Sequence, residues 1–419
     1  MRIVQALDGG ICRIKLPGGL LTADQADAVA LGAQLHASGV IEATNRANLQ
    51  IRGVRGDHTA LVEGLMAAGL GPRQATADDV RNLLLSPAAG LDPQQVLDVR
   101  PLAGRILHSL EHDSALHALS AKFAIQLDGG EALAMLEHHH DLWLSPLLID
   151  GVCSMAFGLA GCPAHDPALG AVPLSQAHAW VLAVLHTFLA QASPEQHRLR
   201  DWLGDDKADF VARLSAQHPH LGISAVAFQR APVHPTPIGV HAQADGRSLV
   251  IAGAPLGRLD ARQLRGAAAL ARQWGDATLR ITPWQGVLLP GIAHADTPTV
   301  QQGLSALGWL VDAAQPLASL IACTGAAGCA KGLADTKADA LHLAATLQHP
   351  AAVHLSGCAR SCAAAHVAPA TLLAVGNGRY DLYLRDATLP GFGALQATHI
   401  TVQAAGALLD ARSRSHTHD

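Results

Sequence analysis

The sequence predicts an α+β protein formed by an internal duplication, in which each half is a small α/β unit followed by a larger one. Residues 8–54 and 245–292 share one order of elements: a β-rich opening, a glycine-containing turn, a helix and a further strand. A loop of small residues follows each copy at a similar distance, at 86–90 in the first half and 324–328 in the second. Because the elements of the two segments match in both order and spacing, the chain contains an internal repeat.

The helices of the two copies also start and end alike. Each is predicted to begin at a capping box, in which an N-cap side chain and a glutamine three positions later exchange hydrogen bonds: Thr22 with Gln25, and Asp260 with Gln263. Gly39 and Gly275 follow the two helices, and we expect both to adopt the left-handed conformation that ends a helix.

The repeat, together with the prolines and charged residues between its copies, predicts the domain boundaries. The predicted segments are a small unit (1–65), a larger unit (66–191), a linker (192–237), a second small unit (238–300), a second larger unit (301–410) and a disordered tail (411–419).

The composition limits the class of protein. Hydrophobic residues make up 49% of the chain but aromatic residues only 3%, which predicts a core filled mainly by Ala, Leu and Val. A formal charge of −5 without any basic run argues against nucleic-acid or membrane-surface partners. The first residues lack a signal peptide, and no apolar stretch is long enough to span a bilayer. We therefore expect a cytoplasmic protein.

Four of the seven cysteines form two close pairs, which are Cys323 with Cys329 and Cys358 with Cys362. In a reducing compartment such clusters favour metal or redox chemistry over disulfides. Structural zinc sites usually place two to four residues between paired ligands, so the five-residue gap of the first pair favours a [4Fe–4S] cluster. Zinc and metal-free thiols remain the alternatives. The isolated Cys12, Cys153 and Cys162 are predicted to be ordinary buried cysteines.

Glycines and short elements surround the cysteine pairs. Residues 325, 328 and 357 are glycines, which allow backbone N–H groups to approach cluster sulfurs. The pattern predicts a helix over about 330–348, a buried strand after Pro350, and a hairpin that turns at Asn377-Gly378. Each cysteine pair should therefore lie in a loop at the end of an element.

Taken together, the duplicated unit and the two cysteine pairs resemble the sirohaem-dependent sulfite and nitrite reductases. Within that superfamily ALDGGICRIKLPGG (6–19), TNRANLQIRGV (44–54) and CTGAAGCAKGLADT (323–336) look most like the precorrin-3B synthases. The resemblance covers nearly the whole chain, with the motifs in family order. It implies two ferredoxin-like half-domains and two α/β cluster- or tetrapyrrole-binding domains.

The resemblance also implies a basic cleft for a carboxylated tetrapyrrole, with Cys362 at the position that bridges cluster and sirohaem in the reductases. Arginine suits such a ligand because its guanidinium binds carboxylates in a bidentate way. The candidate tetrapyrrole-binding residues are Arg46, Arg52, Arg81, Lys122 and Arg360; of these, Arg46, Arg81 and Lys122 match anion-binding positions of the superfamily. Arg52, Arg55 and Arg360 could equally be solvated charges, and we expect Arg46 and Arg52 to share one face of a strand.

Two positions depart from the family patterns. Ala124 stands where the reductases have a second polar residue that binds or protonates the substrate anion, which counts against six-electron reduction. His366, a candidate catalytic residue, is spaced from Cys362 more as in a nitrite reductase than as in a synthase.

For a synthase the resemblance implies O2-dependent hydroxylation of precorrin-3A at C20 with lactone formation, and a non-haem iron in addition to the cluster. The sequence does not identify the ligands of this iron. The tract 137–141, with three consecutive histidines, is disfavoured as a metal site because neighbouring strand residues point to opposite faces. NADH-derived electrons should arrive through a separate reductase or ferredoxin, since the chain has no GxGxxG motif. The alternatives are a sirohaem-dependent ferredoxin nitrite or sulfite reductase, and a non-catalytic tetrapyrrole or electron carrier.

Overall fold

The computed structural model describes residues 1–204, 206–231, 237–364, 368–386 and 388–416. These residues form four five-stranded sheets, two of one topology and two of another. The predicted duplication and the α+β class are confirmed.

The first half begins with the small unit, whose elements are β1 (Ile3–Ala6), β2 (Gly9–Ile14), β3 (Leu20–Thr22), α1 (Ala23–His36), β4 (Val40–Ala43), β5 (Leu49–Val54) and α2 (Thr59–Ala67). The larger unit follows with β6 (Leu83–Leu85), α3 (Arg100–His112), β7 (Ile125–Leu127), β8 (His140–Ile149), β9 (Val152–Gly161), β10 (Gly170–Pro173), α4 (Ala177–Gln191), α5 (Leu199–Leu203) and α6 (Lys207–Gln217).

The second half repeats this order. Its small unit contains β11 (Gly239–Ala242), β12 (Ser248–Gly253), β13 (Arg258–Asp260), α7 (Ala261–Trp274), β14 (Thr278–Ile281), β15 (Gly286–Ile292) and α8 (Thr297–Ala306). Its larger unit contains β16 (Leu320–Ala322), α9 (Thr336–Thr346), β17 (Val353–Ser356), β18 (Ala370–Gly376), β19 (Arg379–Leu384), β20 (Ala394–Ile400) and α10 (Val402–His416).

The two small units exchange a strand. β3 of the first unit pairs with β14 of the second, and β13 of the second pairs with β4 of the first, both antiparallel. Helices α1 and α7 pack against each other over one shared core. Small buried side chains let these helices approach closely: Ala26, Ala30 and Ala33 on α1, and Ala267, Ala268 and Ala271 on α7. The two units are therefore one packed body.

Both predicted capping boxes are present at the starts of α1 and α7. Gly39 has the expected left-handed φ of +82°, and its N–H donates to the carbonyl of Ala33. The prediction for Gly275 is wrong, because Ala277 carries the positive φ (+61°) and donates the matching bond to Ala271. Gly275 instead permits a close approach, since a Cβ there would lie 2.6 Å from the carbonyl oxygen of Pro290.

The larger units share a sheet topology. In each sheet three strands run parallel (β6-β7-β8 and β16-β17-β18), and two antiparallel strands extend it. The predicted buried strand is β17, and the predicted hairpin joins β18 to β19 with Gly378 at φ +61°. Helix α9 is shorter than predicted at its start, because residues 330–335 form turns before the N-cap Asp335.

The structure corrects several predicted boundaries. Leu70 continues the core of the small units beyond residue 65, and Leu304 and Trp309 do so beyond residue 300. Residues 192–237 were predicted to be a linker, but α5 and α6 bury Leu199, Leu203, Phe210 and Leu214 in the core of the first larger unit, and Leu221 joins this core beyond α6. The loop-like segment 232–236 lies outside the described residues.

The predicted disordered tail is helical over most of its length. Helix α10 continues to His416, because Val402, Ala405 and Leu409 bury an apolar stripe in the core of the second larger unit and anchor its first turns. Residues 417–419 lie outside the described residues. No helix in the described part of the chain is long and apolar enough to cross a membrane.

Candidate cluster and anion-binding site

The two cysteine pairs meet at one edge of the second larger unit. Cys323 follows β16 and Cys358 follows β17, and these strands are parallel neighbours, so both loops leave the sheet at the same end. Burial raises the pKa of Cys362, and the nearby charges of the other three cysteines raise it further. All four thiols therefore share one site.

Close backbone contacts hold the cysteine loops together. The N–H of Gly357 donates to Sγ of Cys323 at 3.1 Å, as expected for a donor aimed at a thiolate. A Cβ on Gly357 would lie 3.3 Å from the Cα atoms of Gly325 and Gly332, and Gly325 also has a left-handed φ of +66°. Glycine is needed here because the two loops touch through their backbones.

The spacing of the sulfurs fits a cluster better than a single ion. Tetrahedral zinc with Zn–S bonds of about 2.3 Å brings its sulfurs to within roughly 3.8 Å of one another. Among the described residues, no three of the four cysteine sulfurs lie within 4.8 Å of one another. This spacing disfavours a single zinc ion, and the larger [4Fe–4S] cluster stays the predicted occupant.

Arg52 connects the first cysteine loop to the first small unit. It forms a two-nitrogen ion pair with Asp8, with both N···O distances 2.8 Å, and donates to Glu42 at 3.3 Å and to the carbonyl of Gly328 at 3.4 Å. Burial alone would lower the pKa of Arg52, yet hydrogen bonds and charges from Asp8 and Glu42 raise it. Protein carboxylates therefore already occupy the guanidinium of Arg52, and its binding of a tetrapyrrole stays a prediction.

Glu42 is the centre of a buried ionic network behind this loop. Besides Arg52, its carboxylate accepts from Arg258 at 2.9 Å and lies 3.9 Å from the ammonium of Lys337. Lys337 also donates to the carbonyl of Ala322, the residue before the first cysteine. Burial lowers the pKa of Lys337 to about 8, although Glu42 opposes this change. The network fixes the base of the cysteine loop to β4.

Arg46 lies beside the second cysteine loop. It occupies the turn before β5, not the strand itself, so it does not share a strand face with Arg52 as predicted. The neighbouring Asn45 donates to the carbonyl of Ala363, one residue beyond Cys362, at 3.3 Å. Arg46 donates to the carbonyl of Lys122 at 3.3 Å. The structure therefore brings Arg46 and Lys122 together next to the cluster loops.

A small cleft of about 10 Å³, room for roughly one water molecule, lies beside Arg46. Its lining includes Asn82, Ala124 and His140. Burial lowers the pKa of Arg46, and the charge of Arg198 lowers it further. Among the described residues no carboxylate pairs with the Arg46 guanidinium within 4 Å, so its charge is available to an anion.

His140 is a cleft residue that the sequence analysis considered only as part of the disfavoured histidine tract 137–141. Its Nδ1 lies 2.8 Å from the carbonyl oxygen of His138. Because a carbonyl can only accept, Nδ1 carries the proton and Nε2 is left as an acceptor. Burial lowers the pKa of His140 well below its ordinary value, so the ring is neutral at pH 7. The only available signal was its place at the start of a buried strand.

Asp141 fixes Ala124 in the cleft wall. Its carboxylate accepts from the N–H of Ala124 at 2.9 Å and from Nε of Arg198 at 2.7 Å. Burial raises the pKa of Asp141, and the charge of Arg198 opposes this change. Ala124 therefore presents only a methyl group, as the sequence indicated.

Arg81 is buried away from solvent. Its guanidinium lies 3.7 Å from both Asp78 and Glu111, beyond hydrogen-bond distance. Burial lowers its pKa, and two of its nitrogens, Nε and Nη2, have no hydrogen-bond partner. An anion-binding role for Arg81 stays a prediction.

The remaining candidates lie on the surface or outside the description. Arg55 and Arg360 are exposed, and the charge of Arg360 acts on Cys362. His366 lies outside the described residues. The three consecutive histidines do not share one ion: His138 and His140 lie near Arg46, whereas His139 lies near Asp166. Cys12 and Cys162 are buried as predicted, and Cys153 is half-buried.

Comparisons with protein families agree with this architecture. The model of the nitrite/sulfite reductase ferredoxin-like half domain matches residues 5–68 and 241–307. The model of the nitrite and sulphite reductase 4Fe-4S domain matches residues 76–205. Together they cover more than half of the chain. The 4Fe-4S match falls on the larger unit without cysteine pairs, whose topology the cysteine-bearing unit repeats.

Similar proteins include two enzyme types. A chloroplastic ferredoxin–nitrite reductase of Zea mays is 29% identical over 85% of this chain and 68% of its own. One from Synechococcus elongatus is 27% identical over 97% of this chain and 87% of its own. A precorrin-3B synthase of Sinorhizobium sp is 24% identical over 92% of this chain and 81% of its own.

Among solved structures, the NirA protein of Mycobacterium tuberculosis superposes with a TM-score of 0.79 at 22% identity, covering 97% of this chain and 80% of that one. This likeness supports the fold. With two ferredoxin-like half-domains around one core and two larger units of one topology, the chain belongs to the nitrite and sulfite reductase superfamily of oxidoreductases.

Proposed function

We propose that this protein is a monooxygenase of the precorrin-3B synthase type, which hydroxylates precorrin-3A at C20 with lactone formation. The observation that carries the proposal is the cleft wall, where Ala124 lies with Arg46 and Asn82. A reductase needs a polar group to bind and protonate nitrite or sulfite, and an alanine methyl can do neither. The synthase relative, similar over 92% of the chain, supports the same assignment.

The chain's own residues bind and orient the ring. Arg46 lies at the cleft and donates to the backbone carbonyl of Lys122, whose side chain is exposed. Both cations would receive peripheral carboxylates of the tetrapyrrole. His140 is neutral and its Nε2 carries no proton. This nitrogen can therefore accept a hydrogen bond from the ring or from a water molecule. Asp141 keeps the wall rigid by binding the backbone of residues 124 and 199.

A [4Fe–4S] cluster, held by Cys323, Cys329, Cys358 and Cys362, would supply electrons one at a time. The overall reaction combines O2, two electrons and two protons, placing one oxygen atom in the ring and releasing the other as water. A separate NADH-dependent reductase or a ferredoxin would provide the electrons, as the names of the ferredoxin-dependent relatives suggest. The described cleft residues offer no complete ligand set for a non-haem iron.

A sirohaem-dependent ferredoxin–nitrite reductase is the second candidate. It is favoured by sequence identities of 27–29%, against 24% for the synthase. Under this proposal Arg46 and Lys122 would bind the carboxylates of sirohaem, and Ala124 would face nitrite without contributing a proton.

A single-turnover experiment tests the oxygenase proposal. Anaerobic protein is mixed with precorrin-3A and with dithionite, which reduces the cluster and supplies the second electron, and is then exposed to 18O2. We expect one labelled oxygen atom in the ring, detected by mass spectrometry. A bound but unmodified ring would instead indicate a non-catalytic carrier, and no binding of precorrin-3A would contradict the proposal altogether.

A further inference from the structure

A second group of metal-binding side chains lies outside the cleft. It consists of His139, Cys162 and Asp166, whose imidazole nitrogen, thiol sulfur and carboxylate oxygen lie within 4.8 Å of one another. Within the described ranges no other three His, Cys, Asp or Glu residues meet this criterion. Zinc-type ions accept all three donor types, at about 2.0–2.3 Å from each atom.

The β8–β9 hairpin places two of these residues opposite each other. His140 pairs with Gly161 in the antiparallel register, so His139 and Cys162 are the next residues beyond that pair. Side chains at such facing positions have Cβ atoms roughly 5 Å apart, which is suitable for sharing one ion. The register therefore brings an imidazole and a thiol together at the end of the hairpin.

A tight turn fixes the third residue. The N–H of Asp166 donates to the carbonyl of Cys162 at 3.0 Å, and the N–H of Cys162 donates to Oδ2 of Asp166 at 2.8 Å. Gly161 leaves room for this carboxylate, because a Cβ there would lie 2.5 Å from Oδ2. The geometry of the carboxylate is thus set by the backbone before any ion binds.

Exposure and charge separate this group from the cleft. Cys162 is buried and Asp166 half-buried, whereas His139 is exposed and gives access from solvent. The charges nearest His139 belong to Asp166, His165, Lys207 and Arg385. Lys207 donates to the carbonyl of Ala160 at 3.2 Å, so its ammonium already has a partner. Arg46 acts instead on the two flanking histidines.

We propose that His139, Cys162 and Asp166 form a binding site for a divalent cation of the zinc type, with one coordination position open to water or a further ligand. Binding transfers the thiol proton of Cys162 to solvent, and the thiolate and carboxylate then balance the charge of the ion. The proposal does not depend on the reaction that the cleft catalyses.

Cobalt(II) gives a direct test, because thiolate coordination to Co2+ produces a charge-transfer band in the near ultraviolet. The protein is used with its cluster assembled, so that the four cluster cysteines are occupied. Co2+ alone is titrated into the wild type and four variants: Cys162→Ser, His139→Ala, Asp166→Asn and Cys153→Ser. Cys153 is the matched control, since it pairs with Leu148 at the other end of the same hairpin.

We expect one Co2+ per chain and a thiolate band in the wild type and in Cys153→Ser. Cys162→Ser should lose the band, and Co2+ affinity should fall at least tenfold in His139→Ala and Asp166→Asn. His139→Ala and Asp166→Asn should both fold, because His139 is exposed and an asparagine at 166 can still accept from the Cys162 N–H. These two variants therefore test the site even if Cys162→Ser folds poorly. A wild type without the band, or a band that persists in Cys162→Ser, would overturn the proposal.

Discussion

The turns at 44–48 and 282–286 are equivalent parts of the two small units, and they share one backbone geometry. In each, the threonine N–H and hydroxyl bond to the backbone of the residue four positions later, with N···O distances of 2.9 Å and 3.1–3.2 Å. The fourth residue of each is left-handed, with φ +56° at Ala47 and +60° at Gln285. The third residue differs, being Arg46 in one turn and Trp284 in the other.

The turns differ at four of their five positions, and the third position separates a ligand site from a packed interface. Arg46 faces a cleft beside the cysteine loops, whereas Trp284 packs against Ala88 and Leu133 of the larger unit without cysteine pairs. The position equivalent to the buried acid Glu42 is Arg280, which donates to the carbonyls of Pro87 and Ala89. The duplicated backbone thus supports two interfaces, and side chains decide which can accept a cluster and an anion.

The largest expected effect comes from removing a cluster ligand. Cys362→Ser should lower the iron content from about four atoms per chain to near zero, because a [4Fe–4S] cluster needs four thiolates. The two-half fold should remain, since the cysteine-free unit keeps the same topology without a cluster. Iron analysis and circular dichroism measure the two results.

Cys153→Ser is the control for this experiment, because Cys153 lies far from the cluster loops in β9. Full iron content in Cys362→Ser would show that our ligand assignment is wrong.

Breaking the buried network should have the next largest effect. Glu42→Gln removes the carboxylate that serves Arg52, Arg258 and Lys337, and the loss of one partner in such a network costs about 3–5 kcal/mol. Arg280→Gln in the other half should cost about 1–3 kcal/mol, since it leaves carbonyl groups unpaired.

Urea denaturation followed by circular dichroism measures both free energies of unfolding. Equal losses for the two variants would contradict the claim that the cysteine loop is held by charge and its counterpart by neutral carbonyls.

Arg46→Ala should weaken tetrapyrrole binding with little effect on folding. The loss of a charge-assisted bond of about 1.5–3 kcal/mol predicts a roughly 10- to 150-fold weaker affinity for precorrin-3A. Anaerobic fluorescence quenching measures this affinity.

Trp284→Ala is the matched change in the other turn. It should lower the free energy of unfolding by about 3 kcal/mol, because it removes a ring packed in an apolar cluster, and leave affinity unchanged. If the two variants had the same effect on binding, the distinction between the turns would be lost.

Local patterns in the sequence were enough to predict the repeat, the capping boxes, the hairpin at 377–378 and the clustered cysteines. The exchange of β3 and β13 was not predictable, because pairing between distant strands leaves no local signal. The ion pair of Arg52 was not predictable for the same reason, since its partner Asp8 is 44 residues away. His140 was missed because a cleft residue on a buried strand looks like an ordinary core position.

The absorption spectrum of anaerobically purified protein tests the central claim most directly, which is that the cleft receives a tetrapyrrole as substrate. The account predicts the broad absorption of a [4Fe–4S] cluster alone, with changes on adding precorrin-3A. A stoichiometric sirohaem chromophore, retained through purification, would contradict it and assign the cleft to a nitrite or sulfite reductase.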